Sequence, residues 1–201
     1  MKINDDLKIV IPLRTGDNGV EIYAYHSPIS REVFEVNYRI LAATKAELAS
    51  KGIHYQMDSG PRIAALVLMD EARKDAFNNG YVDEKGNGID DNARALREEI
   101  KRLTTVLVAT NDGWTQSPIN AAINAEKIDE EEWREVESAI VFFTCHYALA
   151  KKADRKSIGE ATASLLRGSS TSLACSEFLA SLPPLMKEEV SAKSAGSSVP
   201  S

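Results

Sequence analysis

The segment from Asp129 to Tyr147 constrains the fold of this chain more than any other. Asp129 can cap the start of a helix, and the glutamates at 130–132 place negative charge where the helix dipole favours it. The middle of the segment, residues 139–145, is almost entirely apolar, so we predict a long central helix around which other elements pack. Its main apolar stripe follows spacings of three and four residues: Trp133, Val136, Ile140, Phe143 and Tyr147.

A β-hairpin is predicted ahead of the helices, at about residues 7–25. Residues 7–12 are rich in β-branched side chains, and residues 16–19, GDNG, form a tight-turn sequence. Residues 20–25 then alternate, with Val20, Ile22 and Ala24 on one side and Glu21, Tyr23 and Tyr25 on the other. An isolated hairpin is marginally stable in water, so this element must pack on the helices or pair with another chain.

Helical spacing dominates from about residue 30 to residue 182. The turn at residues 111–113, NDG, ends a helix predicted from about Asp91 to Val108, and residues 53–60 read as a loop. Residues 169–171 are interpreted as the cap of the last helix, after a C-cap at Gly168. The apolar stripe of the predicted 91–108 helix comprises Leu96, Ile100, Leu103 and Leu107.

Composition agrees with a helical interpretation, because aromatic residues make up only 6% of the 201 residues while Ala, Leu, Glu and Lys are frequent. We therefore predict a mainly α protein, a helical bundle-like domain with a small N-terminal β-hairpin, spanning residues 1–184. The polar, glycine-rich loop 78–90 is predicted to be exposed and mobile; one bundle or two lobes divided at this loop both fit. Residues 185–201 are predicted to be disordered, since they contain few bulky apolar side chains.

The net charge of −6 gives the chain no general attraction to nucleic acid or to anionic membranes. The sequence contains neither an export signal nor an apolar run of 18 residues, and its two cysteines lack disulfide or zinc spacing. We predict a cytoplasmic protein without nucleic-acid or membrane partners. One basic cluster, residues 151–156, either closes the long helix or forms an anion site; it contains Lys151, Lys152, Arg155 and Lys156.

The residues also favour a protein that is not an enzyme and has no catalytic, metal or cofactor site. Cys145 and His146 are adjacent, so on a helix their side chains point about 100° apart and cannot act on one atom. The acidic segment from residue 83 has Lys85 and Arg94 at positions where a calcium loop needs oxygen ligands. An enzyme would instead need a polar pocket assembled from distant residues, around His26, His54 or Cys145.

Aromatic residues near the N-terminus have no interleaved basic residues, which favours packing and protein interfaces over base stacking. We expect residues 7–26 to mediate self-association into a homo-oligomer, because the hairpin is too small to stand alone. The candidate protein-interaction residues are Ile9, Ile22, Tyr23, Tyr25, Phe34 and Phe178.

Several segments resemble proteins of the tail-gene clusters of tailed bacteriophages, the predicted tail assembly chaperones. They are residues 25–35, YHSPISREVFE, residues 60–66, GPRIAAL, residues 139–147, AIVFFTCHY, and residues 170–183. The resemblance covers most of residues 7–183, and its motifs are packing motifs rather than active-site signatures.

Membership in this family implies binding to the tape-measure protein, with the tail-tube protein as a second partner. The chaperone would keep the apolar, helical tape-measure chain soluble while tail-tube subunits assemble around it, in the cytoplasm of the host cell. The family also implies absence from the finished virion and, for many members, a longer form made by ribosomal frameshifting. The alternative is a structural virion protein, a tail-completion or head–tail connector subunit.

Overall fold

The computed structural model describes residues 7–17 and 19–183. Within this part the strands are β1 (Lys8–Gly16), β2 (Gly19–His26), β3 (Thr104–Thr110), β4 (Gly113–Pro118) and β5 (Ser169–Thr171). The helices are α1 (Arg31–Ser50), α2 (Ile53–Asp58), α3 (Gly60–Asn78), α4 (Asp91–Arg102), α5 (Ile119–Asn124), α6 (Glu130–Ala148), α7 (Arg155–Leu165) and α8 (Cys175–Ser181). The predicted tail 185–201 and the turn residue Asn18 lie outside the described residues.

The described strands form one antiparallel sheet in the order β4-β3-β2-β1-β5. The prediction of a mainly α bundle with a small hairpin is therefore wrong, because the chain has an α/β fold with a five-stranded sheet. The N-terminal hairpin does not stand alone: β2 is the central strand, and β1 lies between β2 and β5. The need for a second chain to complete the hairpin thus disappears.

The error has a local cause at the predicted helix 91–108. Helix α4 ends at Arg102, and the next residues form β3, whose Val106 pairs with Ala24 of β2. The leucine and isoleucine spacing continues across this boundary by coincidence, while Thr104, Thr105 and Val106 supply the β-branching typical of a strand. Pairing along a central strand outweighs the helical spacing here.

Two smaller predictions also differ from the structure. Residues 169–171 pair with Lys8–Val10 as β5 instead of capping the last helix, and residues 53–58 form the short helix α2. Arg167, with φ of 55°, takes the left-handed conformation expected at Gly168. Gly168 has a different role, because a Cβ there would lie 2.5 Å from the carbonyl oxygen of Val10. The missing side chain lets β5 approach β1.

The predicted central helix is confirmed. The start of α6 carries a capping box in which Asp129 and Glu132 accept each other's backbone N–H groups. Helix α6 packs against α1, α3, α4, α7 and β1, and its apolar middle is buried. The main core joins residues from before and after the loop 78–90, such as Leu41, Leu68 and Leu96.

The two faces of the sheet differ in what covers them. The predicted alternation in β2 is confirmed: Ile22 and Ala24 face the helices, whereas Tyr23 and Tyr25 lie on the opposite, outer face. Only α8 of the described helices contributes side chains to the outer cluster. Within residues 7–17 and 19–183, no helix combines the length and apolar character needed to cross a membrane.

Candidate protein-interaction surfaces

The structure divides the six predicted interaction residues among three places. Ile9 and Ile22 are 0% and 3% exposed and belong to the main core beneath the sheet. A charge at either position would disturb folding before it could report on association, because an unpaired buried charge is costly. The other four residues lie on the outer face of the sheet or beside a cavity.

Tyr23, Tyr25 and Phe178 come together on the outer face, where α8 lies across the sheet. The Phe178 ring centroid is 6.4 Å from that of Tyr23, at 89°, and 6.0 Å from that of Tyr25. We call this group the outer-face cluster. Its members are Val10, Tyr23, Tyr25, Leu107, Trp114, Cys175, Phe178, Leu179 and Leu182.

Two hydrogen bonds attach the residues on either side of α8 to the sheet. The Tyr25 hydroxyl donates to the Leu173 carbonyl at 2.8 Å, and the Trp114 indole N–H donates to the Pro183 carbonyl at 2.8 Å. Burial is the main cause that raises the pKa of Tyr25 to about 12, so this hydroxyl stays protonated. None of the seven residues of α8 is fully buried. A short, half-exposed helix is thus what shields the aromatic side of the sheet.

Phe34 is separated from the other aromatic candidates, because it lines a cavity of about 480 Å³ near the start of α1. The Arg31 guanidinium lies 5.4 Å from the centre of the Phe34 ring. This distance is within the range of a cation–π contact.

A different set of apolar side chains is openly exposed at the end of α3 and in the loop that follows. Phe77 is 60% exposed, Tyr81 69%, Val82 41% and Ile89 38%. We call these four residues the loop patch. Large apolar side chains exposed close together along the chain are candidates for an interaction site.

Backbone hydrogen bonds hold the loop patch together. The Tyr81 N–H donates to the Ala76 carbonyl at 2.9 Å, and the Ile89 N–H donates to the Tyr81 carbonyl at 3.2 Å. The Asp83 carboxylate accepts the N–H groups of Lys85 and Asn87, which closes the turn at the tip. The loop is exposed as predicted, and its mobility stays a prediction.

Two contacts fasten the loop to the helices on either side. Asp90, only 8% exposed, accepts hydrogen bonds from Arg73 of α3 and Arg94 of α4, each at 3.0 Å. Gly88 lies so close to α3 that a Cβ would stand 2.0 Å from the Arg73 carbonyl oxygen. The patch therefore lies on a loop that contacts both neighbouring helices.

The loop patch is not evident from the sequence because the loop as a whole is polar and glycine-rich. A usable signal was present: Tyr81, Val82 and Ile89 are large apolar residues inside the otherwise polar segment 78–90. Apolar residues in a polar loop are not part of a periodic apolar pattern, so the sequence does not predict that they face the core. Such residues are candidates for an interface.

The reactive side chains do not form a catalytic arrangement with one another. Cys145 is buried, and this burial raises the pKa of its thiol to about 12, so the nucleophilic thiolate is disfavoured. His146 Nδ1 donates to the Phe142 carbonyl at 2.8 Å, which leaves Nε2 to accept from the Gln56 amide at 3.1 Å. His26 is fully buried and His54 is exposed on α2.

No group of three or more His, Cys, Asp or Glu residues in the described part of the chain is placed to hold a metal ion. No family model, curated protein or solved structure matches the chain.

Proposed function

We propose that this protein is a tail assembly chaperone that binds the tape-measure protein of a tailed bacteriophage in the cytoplasm of the infected cell. The resemblance of residues 25–35, 60–66, 139–147 and 170–183 to that family supports the identity of the partner. The loop patch supplies a surface on which such a partner can bind.

The exposed apolar residues at 77–89 are the observation that carries this proposal. Leaving Phe77 and Tyr81 more than half exposed forgoes the stabilisation that burial of large apolar side chains brings. Contacts with the neighbouring helices restrain the loop, which reduces the conformational entropy lost when a partner covers these side chains. A partner that buries them recovers this free energy.

An apolar or amphipathic helix suits this surface. Helices bind to protein surfaces through apolar side chains repeated along one face, which fill a patch of complementary apolar groups. The tape-measure protein of the resembling family is a long helical chain with apolar surface that must stay soluble until the tail tube surrounds it. If the loop patch covered the apolar face of one tape-measure helix, it would help to keep that chain soluble.

The test is co-expression of the full chain with the tape-measure protein of the same genome, followed by pull-down and size-exclusion chromatography with light scattering. We expect a soluble complex that does not form when this protein is omitted. The double variant Phe77→Ser/Tyr81→Ser should bind about tenfold more weakly or worse, because each buried large side chain contributes about 1.5–3 kcal/mol. The same light scattering measures the predicted homo-oligomer and any tail-tube protein in the complex.

Ile53→Ser is the matched control. Ile53 is 64% exposed on α2, which contacts α3. Helix α2 precedes the start of α3, whereas the loop patch lies at the end of α3. The control should bind as the wild type does, and all variants should keep the wild-type circular dichroism spectrum. Equal binding by the double variant would remove the loop patch from the proposal. Failure of the wild type to bind, with the protein present at fixed stoichiometry in purified virions, would identify a structural subunit instead.

A further inference from the structure

The cavity of about 480 Å³ beside Phe34 has an unusual charge balance. It lies where the start of β1, the start of α1, the end of α4, the end of α6 and the start of α7 meet. Its charged lining consists of four cations and one carboxylate: Lys8, Arg31, Arg102, Arg155 and Glu99. An acidic chain has thus collected an excess of positive charge around one cavity.

Two of the four cations already have acidic partners. Arg102 makes two 2.7 Å hydrogen bonds to the Glu99 carboxylate, and Arg31 binds Glu35 at 2.6 Å. Lys8 and Arg155 are in a different position, since neither has an ion-pair partner among residues 7–17 and 19–183. Among the described residues, the cavity therefore has two cations without an ion-pair partner.

Arg155 gives a second, independent indication of a missing partner. Its Nε atom is buried and has no hydrogen-bond partner within the described part of the chain. A buried donor without a partner is costly, particularly on a charged group. An anion in the cavity that Arg155 lines would balance the guanidinium charge.

The remaining lining shows what kind of anion fits. Phe34, Leu103 and Phe143 supply apolar surface, while Ser27 and Ser30 supply hydroxyl groups. Ser30 also caps the start of the 20-residue helix α1, where the helix dipole favours negative charge. A volume of about 480 Å³ is in the range of pockets for small ligands.

We propose that this cavity binds a small organic phosphate, with the phosphate between Lys8 and Arg155 and its organic part against Phe34 and Phe143. A phosphate carries close to two negative charges at neutral pH, which matches the charge of these two cations. Arginine and lysine bind its oxygens through charge-assisted hydrogen bonds. The site is independent of the loop patch and of the proposed chaperone function.

The four residues of the basic cluster at 151–156 do not share one role in the structure. Helix α6 ends at Ala148, and Arg155 opens α7, so Arg155 does not close the long helix. Arg155 lines the cavity, whereas Lys151, Lys152 and Lys156 are not part of its lining. Of the two interpretations left open by the sequence, the anion site applies to Arg155 together with Lys8.

The proposal can be tested by isothermal titration calorimetry on the full chain, which includes the acidic residues Asp5 and Asp6 outside the described part. The probes are phenyl phosphate, inorganic phosphate and the neutral compound benzyl alcohol, in a phosphate-free buffer of low salt. We expect phenyl phosphate to bind one per chain and more tightly than inorganic phosphate, with no detectable binding of benzyl alcohol. Equal affinity for the two phosphates would contradict a role for the apolar wall.

Variants then locate the site. Arg155→Gln and Lys8→Gln should each weaken phenyl phosphate binding at least tenfold, whereas Arg134→Gln should stay within twofold of the wild type. Arg134 is an exposed cation near the start of α6, far along the helix from Phe143, and its variant removes the same charge. An equal loss in all three variants would indicate general charge attraction and overturn the proposal.

NMR spectroscopy of the wild type locates the site without variants, so its result does not depend on whether the variants fold. In ¹⁵N NMR spectra of the wild type, phenyl phosphate should shift the backbone signals of residues 27–34. Shifts confined to other parts of the chain, or the absence of binding by any phosphate to the folded protein, would overturn the proposal.

Discussion

The guanidinium of Arg97 on α4 binds both carboxylate oxygens of Glu137 on α6, with N–O distances of 2.8 and 2.7 Å. Glu137 is only 3% exposed, and the third nitrogen of the same guanidinium, Nη1, lies 2.9 Å from the sulfur of Met69 on α3. The hydrogen bonds to Glu137 raise the pKa of Arg97, so its guanidinium stays charged. One ion pair thus links three helices of the core.

Arg97→Met should therefore destabilise the protein strongly. The substitution leaves the Glu137 carboxylate buried without a counter-charge, which costs about 3–5 kcal/mol in comparable buried pairs. The double variant Arg97→Met/Glu137→Leu should recover most of this loss, because it removes both charges. Urea denaturation measures both effects. Arg14→Met breaks the more exposed pair with Glu132 and should cost about 1 kcal/mol or less. A loss equal to that of Arg97→Met would contradict the greater cost predicted for the buried pair.

His26 should make stability depend on pH in the acidic range. The Thr104 hydroxyl donates to the Ile100 carbonyl at 2.7 Å, so His26 Nδ1, 2.9 Å from that hydroxyl, carries the ring proton and donates it. Burial is the main cause that lowers the His26 pKa from 6.5 to about 3. Between these two values the unfolded chain binds a proton that the folded chain does not, so stability falls as pH decreases.

The measurement is the urea midpoint at pH 7.5 and at pH 5, with ring NMR signals of His26 followed in parallel. The wild type should lose more stability over this interval than His26→Gln, which lacks the titrating ring. Burial also lowers the pKa of His146, so both proteins retain its contribution of the same sign. A His26 ring that titrates near pH 6.5 in the folded protein would contradict the prediction.

Gly88→Ala should displace the loop patch from α3. The added methyl would lie 2.0 Å from the Arg73 carbonyl oxygen, a backbone atom that cannot move aside without disturbing the helix. Overpacking of this kind costs about 1–3 kcal/mol. Thermal denaturation and hydrogen exchange should show lower stability and faster exchange in residues 79–90. Glu84→Ala, an exposed change in the same loop, should alter neither.

Phe178→Ala should loosen α8 without unfolding the domain. Phe178 is half-buried, so its truncation should cost less than the about 3–5 kcal/mol typical of a fully buried phenylalanine. Hydrogen exchange in residues 175–181 should increase, and Trp114 fluorescence, measured in a Trp133→Phe background, should shift to the red. Ser176→Ala, an exposed change on α8, serves as the control. Unchanged exchange in Phe178→Ala would show that other contacts hold α8.

Elements that depend on local interactions can be predicted from the sequence. The capping box at Asp129 and the apolar repeat through Tyr147 specify α6, because cap and stripe act within a few turns of one helix. The turn near Gly19 and the alternation that places Tyr23 opposite Ile22 specify the hairpin for the same reason. Side-chain period and turn chemistry are properties of neighbouring residues, so they are readable without a partner.

Features that depend on contacts between distant residues become visible only in the folded chain. Residues 104–108 combine helical spacing with β-branching, and only pairing with β2, some 80 residues earlier in the chain, selects the strand. The cavity joins Lys8 and Arg155, and the loop patch depends on Gly88 packing against α3. A single sequence shows no register between distant segments, because pairing and packing energies exist only once those segments meet.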